Sequence, residues 1–495
     1  MKTKYYSLSM LLLSVLALSL VSSSAIAQIK VTEADWSSPE TEVEVIEMTV
    51  SPAAQASPIF KHRLTLLPDQ TVAGNAATMY LHSLGDNLLR GKWREIAHQL
   101  GDEVESWGYY DTPAEEISIE KLRQASEMFG DYIDQHIARA SKRRDCDWGL
   151  GLEELTGPIV IGLQLNGLQE MRSISRALAL ETKLAILESR FDDAIDLMRM
   201  NYRLGENVGQ VKLLIGSLIG IGQVGIANGS MTDFIAAPNS PNMYWALSEL
   251  PRPMIDFRGA MRLECRMALR IFPQINTAEE LEHSAEEWSR IVQDMPRHAM
   301  EIYRSDEAPS GVKFSAAAVG IMSYSPAKER LVASGMDAEQ VENMPVGQVL
   351  LIDAKREYQR IADAVEVVSY VPFPEAIQKS KEVENFLKLE EATAVSSFGR
   401  FIAIMILPAV QQVTNAQVRT QRDIDVLRVI EALRMHAADA GAFPKSLDEI
   451  TAVLVPKNPA TGKPFEYRLD GETAILELPR SDGITYSKRY MITLR

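Results

Sequence analysis

The sequence predicts a mainly α protein: a multi-helical body with one repeat-like helical hairpin, a long C-terminal helix, and a small antiparallel β hairpin or sheet module. Three observations predict it. From Asn75 onward apolar residues recur at three- and four-residue intervals, the period of helices packed on one face. The stretch 396–440 sustains one such pattern and stops at Gly441, with Pro444 just beyond. After it the period switches to two on either side of Asp470-Gly471, as in a hairpin. With 495 residues, 46% hydrophobic and 24% charged, the chain is globular in composition and too long for one compact core.

Residues 1–27 read as a secretory signal peptide: Lys2 and Lys4, an apolar run from Met10 to Val21, then Ala25-Ile26-Ala27 for cleavage. The mature protein is expected to begin at Gln28, to be exported to the periplasm or secreted, and to have no stable membrane insertion after cleavage. An uncleaved anchor is the competing reading of the same short apolar run. No cysteine follows the cleavage site to carry a lipid. Residues 28–70 are acidic and then Pro-rich without a helical period, an extended arm with one strand over Val43 to Val50, whose alternation Val43, Val45, Glu47 is only partly apolar.

The helical body is expected over 71–395. Its segments include "SIEKLRQASEMFGDYIDQHIARASKRR" and the pair "EMRSISRALALETKLAILESR" and "FDDAIDLMRMNYRLGENV", which meet at Arg190. The second of the pair has Phe191, Ala194 and Ile195 placed as in the back helix of a tetratricopeptide repeat. No second copy follows at a fixed period, so the reading is one hairpin rather than an array. "APNSPN" and "LPRP" punctuate the chain, and further helices are expected around Glu279 to Arg297, Val346 to Val368 and Glu375 to Ala394. The string "GIGQVG", Gly220 to Gly225, has the glycine spacing of a dinucleotide loop. It lies within continuous small and apolar residues, with Asp233 too early for the ribose-binding acid, so a closely packed buried helix explains it better.

The long helix, 396–440, opens with "FIAIMIL". Arg400, Gln411 and Gln412 bound that apolar part below bilayer length, so it reads as a core helix. In the module, 441–495, Gly462-Lys463 precedes Pro464, which has no N–H to offer a phosphate. Instead Phe465, Tyr467, Leu469 and Ala474, Leu476, Leu478 alternate about Asp470-Gly471, predicting a two-residue turn with positive φ at both positions. Glu466, Arg468, Glu472 and Glu477 are expected outward, with Phe443 and Leu447 closing the corner to the helix.

Charge narrows the partners. Losing Lys2 and Lys4 takes the formal net charge from -16 to -18, which disfavours nucleic acid, and the one basic run, Lys142-Arg143-Arg144, runs straight into Asp145 and Asp147. Two cysteines, Cys146 and Cys265, cannot make a disulfide framework, though they could pair with each other or stay reduced.

Candidate chemistry is sparse. Glu95 with His98 and Glu280 with His283 are Glu-x-x-His pairs of the kind that hold two irons in a four-helix bundle. The second pair also reads as a solvated face, and no cofactor is expected. Asp145, Asp147, Glu153 and Glu154 surround Trp148 in a Gly-rich break, with His136 as a possible partner; a cleft there would raise a carboxylate pKa for general acid catalysis. The bland alternative is a helix-connecting loop anchored by Trp148, with Asp145 or Asp147 capping. Cys146 as nucleophile would need a base that no sequence feature supplies.

The segments "VSPAAQASPIFKHRL", "LPDQTVAGNAATMY", "CDWG", "SRFDDAIDL", "NMYWALSELPRPMIDF", "ENMPVGQVLL" and "VIEALRMHAADAGAFPKSLDEI", followed by "NPATGKPFEYRLDG", resemble in that order a group of exported bacterial helical proteins with no assigned activity. That resemblance implies a helical body with a C-terminal module and supplies no catalytic residues. From Phe401 onward the chain is similar in outline to the pseudopilin globular module of secretion systems: a long helix, the "GAFPKSLDEI" turn, then a short sheet. Here the helix lies near the C-terminus rather than behind a prepilin cleavage site. The leading functional expectation is an exported non-catalytic envelope protein that binds or scaffolds a protein partner through helical surfaces. The alternatives are a carboxylate-dependent hydrolase with its site near Trp148, and a secretion-system-associated pseudopilin-like component.

Overall fold

The computed structural model describes residues 31–32, 43–85, 88–101, 104–107, 117–152, 154–157, 166–302, 316–389, 399–400, 408–481, 484 and 487–495. The expected signal at 1–27, Gln28, Glu153 and the "FIAIMIL" stretch at 401–407 lie outside these. The body opens with α1 (Ala76–Ser83), whose N-terminus is capped by the Asn75 side chain accepting from the Ala77 N–H. Helices α2 (Leu88–Leu100) and α3 (Ile119–Phe129) then pack on α4 (Asn166–Leu187).

Helix α4 and α5 (Phe191–Gly209) form the hairpin expected at Arg190, turning through Ser189 at φ 58°. Helix α6 (Leu214–Ala236) packs on both and carries the "GIGQVG" string. Its glycines serve proximity between backbones. A Cβ on Gly220 would sit 2.6 Å from the Gly205 carbonyl oxygen and 2.7 Å from the Gly209 nitrogen. By length and composition α6 could cross a bilayer, yet it is buried around most of its circumference inside the protein.

The three helices α4–α6 bridge two hydrophobic cores. Leu178, Leu204, Val208 and Ile219 belong to the first. Ile186, Ile195, Met198, Tyr202, Val224 and Phe234 belong to the second. Helices α7 (Tyr244–Ser248), α8 (Arg258–Ile271), α9 (Ala285–Ile302), α10 (Ala316–Ala333), α11 (Val346–Glu366) and α12 (Phe373–Leu389) follow. Trp288 on α9, Leu331 on α10 and Ile352 and Tyr358 on α11 extend the first core. Helix α9 starts six residues later than expected from Glu279, because 277–284 form a turn and an extended connection.

The described part of the long helix, α13 (Pro408–Ala440), ends at Gly441 with φ 76°, a value glycine reaches without strain. From Ile424 to Met435 every residue is buried, against α6, α7 and the sheet. Five of its buried residues alternate in charge at three-residue spacing: Arg422, Asp425, Arg428, Glu431 and Arg434. Arg428 Nη1 and Arg252 Nη2 donate to Asp425 at 2.9 and 3.0 Å. Glu431 accepts from Arg434 Nη1 at 3.0 Å and from the Met243 N–H at 3.1 Å. Arg434 donates on to the carbonyls of Ser51 and Ser240 at 2.9 and 2.7 Å, and Arg422 to that of Pro479 at 3.2 Å. The ladder therefore ties the arm, the 237–253 connection and the C-terminal segment to one helix.

The main sheet has the order β1-β2-β7-β6-β5: β1 (Val31–Thr32), β2 (Val43–Val50), β5 (Glu466–Asp470), β6 (Thr473–Leu478) and β7 (Ser487–Leu494). Strands β3 (Val72–Asn75) and β4 (Arg143–Asp145) form a separate parallel pair. The strand expected at Val43 to Val50 is present, but its inward residues are Ile46, Met48 and Val50, not Val43 and Val45. It pairs in parallel with β7 over the full span Val43↔Ser487 to Val50↔Leu494, so the sheet is mixed and the arm completes the C-terminal module. The hairpin turn is Gly471-Glu472, since Asp470 pairs with Thr473. Positive φ is needed at Gly471 alone (60°), correcting the expectation of two such positions about Asp470-Gly471. Glu466, Arg468 and Glu472 are exposed as expected, while Glu477 is half-buried and bound by Arg489 at 2.7 Å. Phe443 is buried in the second core, and Leu447 packs half-buried against the same core.

Candidate functional site

The loop around Trp148 leaves β4, which runs beside β3. Asn75 locks it from both sides: its Nδ2 donates to the Asp147 carbonyl at 2.6 Å, and its Oδ1 accepts from the Asp147 N–H at 2.8 Å. The Asp147 carboxylate accepts from the Gly149 N–H at 3.0 Å, the bond of an Asx turn, so it caps the loop rather than a helix. Trp148 stacks on the buried Tyr80 ring at 6.2 Å and donates its indole N–H to the Asn207 carbonyl at 2.9 Å. Trp148 thus anchors the loop against α1 and α5, as the bland alternative held.

Asp145, Asp147 and Glu154 are exposed to water. His136 lies half-buried on the helical turn Ile133–Ala138, with the rings of Tyr132 and His82 at 5.4 and 6.4 Å. Burial, then the neighbouring His82 and Arg139, lowers its pKa, which keeps the ring neutral at pH 7. The structure brings Asp145, Asp147 and Trp148 onto one loop but does not wrap the carboxylates in the apolar walls that general acid catalysis requires. Cys146 and Cys265 are both free. Burial pushes the Cys146 thiol up to about 12, so it stays protonated and a poor nucleophile at neutral pH.

Glu95 and His98 sit one turn apart on α2, both exposed. Glu280 and His283 do not lie on a helix: they fall in the connection before α9, and the His283 ring packs edge-on to Trp288 at 4.8 Å. The second Glu-x-x-His pair therefore lacks the helical face that would aim both groups at one ion. Among the described residues no group of three or more His, Cys, Asp or Glu is placed to hold a metal.

A polar cleft lies elsewhere, between α2 and α4. It has a volume of about 400 Å³ and is lined by Arg90, Trp93, Arg94, Glu170, Arg172, Ser173 and Arg176. Both helices present arginines four residues apart, which puts each pair on one face. Trp93 is buried and pins the helices together through its indole N–H to the Ser173 carbonyl at 3.3 Å. Arg90 pairs with Glu170 at the mouth. Deeper, Nη2 of Arg172 is buried with no hydrogen-bond partner, and burial lowers the pKa of this guanidinium. The sequence carried a trace of this site in the i, i+4 spacing of Arg90 with Arg94 and Arg172 with Arg176. What it lacked was any sign that two helices so far apart along the chain face each other. Comparison of the chain with models of known protein families, with curated proteins and with solved structures finds no match.

Proposed function

We propose that the protein is an exported, non-catalytic component of the cell envelope that binds or scaffolds a protein partner through its helical surfaces. The observation that carries this reading is the state of the Trp148 loop. Its carboxylates face water, Asp147 is engaged in holding the turn, and the nearby thiol is buried and protonated. Such a loop is built for rigidity, whereas proton transfer needs a group held within reach of a substrate in a protected cleft. On the long helix five ionic groups are turned inward, and two of them, Arg422 and Arg434, fasten three chain segments. A protein that invests its buried polar groups in rigidity is suited to presenting fixed surfaces. A pseudopilin-like role is less well supported, because the tail's sheet is not self-contained: β2 comes from residues 43–50.

Export and catalysis are tested separately. Mass spectrometry of the native protein from an envelope fraction is expected to show a chain beginning at Gln28; a chain beginning at Met1 and held in membranes overturns export. Purified mature protein is expected to leave ester, glycoside and peptide probes intact. Turnover that disappears in Asp147→Asn or Glu154→Gln would replace this reading with the hydrolase.

A further inference from the structure

We propose that two copies of the chain dimerise by pairing their β5 edges antiparallel about Leu469, joining the two sheets into one. Strand β5 is last in the order β1-β2-β7-β6-β5, and its register to β6 runs without a bulge from Glu466↔Glu477 to Asp470↔Thr473. A two-residue turn closes on a hydrogen-bonded pair, here Asp470 with Thr473. The even-numbered residues of β5 therefore bond to β6, and the odd-numbered ones point their N–H and C=O groups away from it. Among the described residues no backbone group is bonded to Tyr467 or Leu469 on that outer side. Unpaired groups of this kind are a template for another strand, and β5 has neither a proline nor a bulge to turn one away.

Charge and space select the partner strand and its register. Glu466, Arg468 and Asp470 stand exposed on one face of the sheet and alternate in sign. Pairing two copies about Arg468 sets arginine against arginine and Glu466 against Asp470, which like charge disfavours. Pairing about Tyr467 sets Glu466 against Arg468 but carries the second copy's hairpin tip to Lys463. That place is taken: the Lys463 carbonyl, on the same outer side, accepts from the Asn458 N–H at 2.8 Å, and Lys457 bridges Pro464. Pairing about Leu469 meets neither obstacle. Arg468 falls opposite Asp470 of the second copy, twice by symmetry, at the positions where opposed side chains come closest. Within one chain Arg468 is 54% exposed and holds its partners loosely, Asp470 at 3.4 Å and Glu477 at 3.9 Å. Leu469 exchanges both backbone bonds with its counterpart, and its half-buried side chain, on the face that packs on the second core, gains an apolar neighbour. Each copy uses its β5 edge once, so the assembly closes at two. The overlap, Tyr467 to Gly471, is short, which makes the dimer a weak one.

The test is sedimentation equilibrium of the full mature chain at about 0.15 M salt, where long-range repulsion between two acidic copies is screened. A reversible monomer–dimer equilibrium is expected with a dissociation constant of about 10–200 µM. Arg468→Asp or Asp470→Arg alone sets like charges opposite each other twice and is expected to weaken association about tenfold or more. The double exchange Arg468→Asp/Asp470→Arg restores opposite charges and is expected to return association to within about threefold of wild type. Leu469→Cys reads the register independently: the two positions lie at disulfide distance across the axis, so mild oxidation is expected to give a covalent dimer. Glu466→Cys, far from the axis, is expected to stay single. Circular dichroism confirms that each variant is folded; if a charge variant is not, the cysteine pair carries the test. The proposal is overturned if the wild-type chain is monomeric up to about 300 µM, which leaves the edge to water or to a strand of another protein. It is equally overturned if the single charge variants associate as wild type, if the folded double exchange fails to recover, or if Leu469→Cys yields no covalent dimer. None of these outcomes bears on export or on the absence of turnover.

Discussion

Glu264 on α8 shows how a single carboxyl can set the pH response of this fold. It accepts the Leu214 N–H at the first turn of α6, where it satisfies one of the donors a helix start leaves open. Burial nonetheless pushes its pKa from 4.5 up to about 7, so the folded protein holds this proton more tightly than the unfolded chain does. The stability it contributes is present below pH 4.5 and is lost as pH rises through about 7. Urea unfolding of wild type against Glu264→Gln is expected to show the difference between the two shifting against wild type by on the order of 1–3 kcal/mol from pH 4.5 to pH 8. A pH-independent difference would show that the proton is not held there. Gly220 makes a second point at this scale. Any side chain there meets backbone atoms of Gly205 and Gly209, which cannot swing aside. Gly220→Ala is expected to destabilise by about 2 kcal/mol or more, whereas Gly259→Ala, with nothing within 4 Å, is expected to be neutral or stabilising by up to about 1 kcal/mol in the same denaturation assay.

Among the elements, α13 fastens segments as far apart as Ser51 and Pro479. The pair Glu431–Arg434 is fully removed from solvent, so deleting one partner strands the other's charge in the core. Arg434→Met alone is expected to cost about 3–5 kcal/mol. Replacing both, with Glu431→Leu added, is expected to recover part of that, because no lone charge remains while the Ser51 and Ser240 carbonyls still lose their donor. A double variant no more stable than Arg434→Met would show that the pair itself is not the source of the loss. The helical elements were the most legible part of the sequence: α5, α11 and the end of α13 follow from apolar spacing and from Gly441, because local period and local structure coincide there. The ladder was written in the same letters, at three-residue spacing from Arg422 to Arg434. Charged residues on a helix ordinarily face water, and only the chain packed around α13 reverses that. Glu280 and His283 failed as a helical pair for the opposite reason: they lie beyond the short helix Pro273–Asn276, in residues whose composition alone suits a helix. At the candidate sites, the loop anchored by Trp148 was readable and the arginine cleft was not, since the first is set by neighbours in sequence and the second by two helices meeting in space.

For the molecule as a whole, the sheet and the bridging helices α4–α6 decide how the parts depend on one another. Strand β7 lies between β2 and β6, so a chain lacking 487–494 loses the centre of the sheet and bares Ile46, Met48 and Val50 on one side and Leu476 and Leu478 on the other. That truncation is expected to bind a hydrophobic dye strongly and to lose part of its cooperative unfolding, while far-ultraviolet dichroism from the first core's helices is largely kept. A truncated chain with wild-type cooperativity and no dye binding would show the sheet to be an ornament on the helical body. The mixed sheet was the least legible feature of the fold, because a parallel partner at such a distance leaves no mark in either strand's own pattern. It also sets an order of events. The hydroxyls of Thr49 and Thr493 meet at 3.0 Å across 444 positions of sequence, so the strand made among the earliest waits for one made among the latest. Until β7 emerges, β2 has only the two-residue β1 beside it, and its inward Ile46, Met48 and Val50 have no completed sheet over α13. Under the export proposed above, that delay would keep the chain unfinished, and therefore extensible, during its passage.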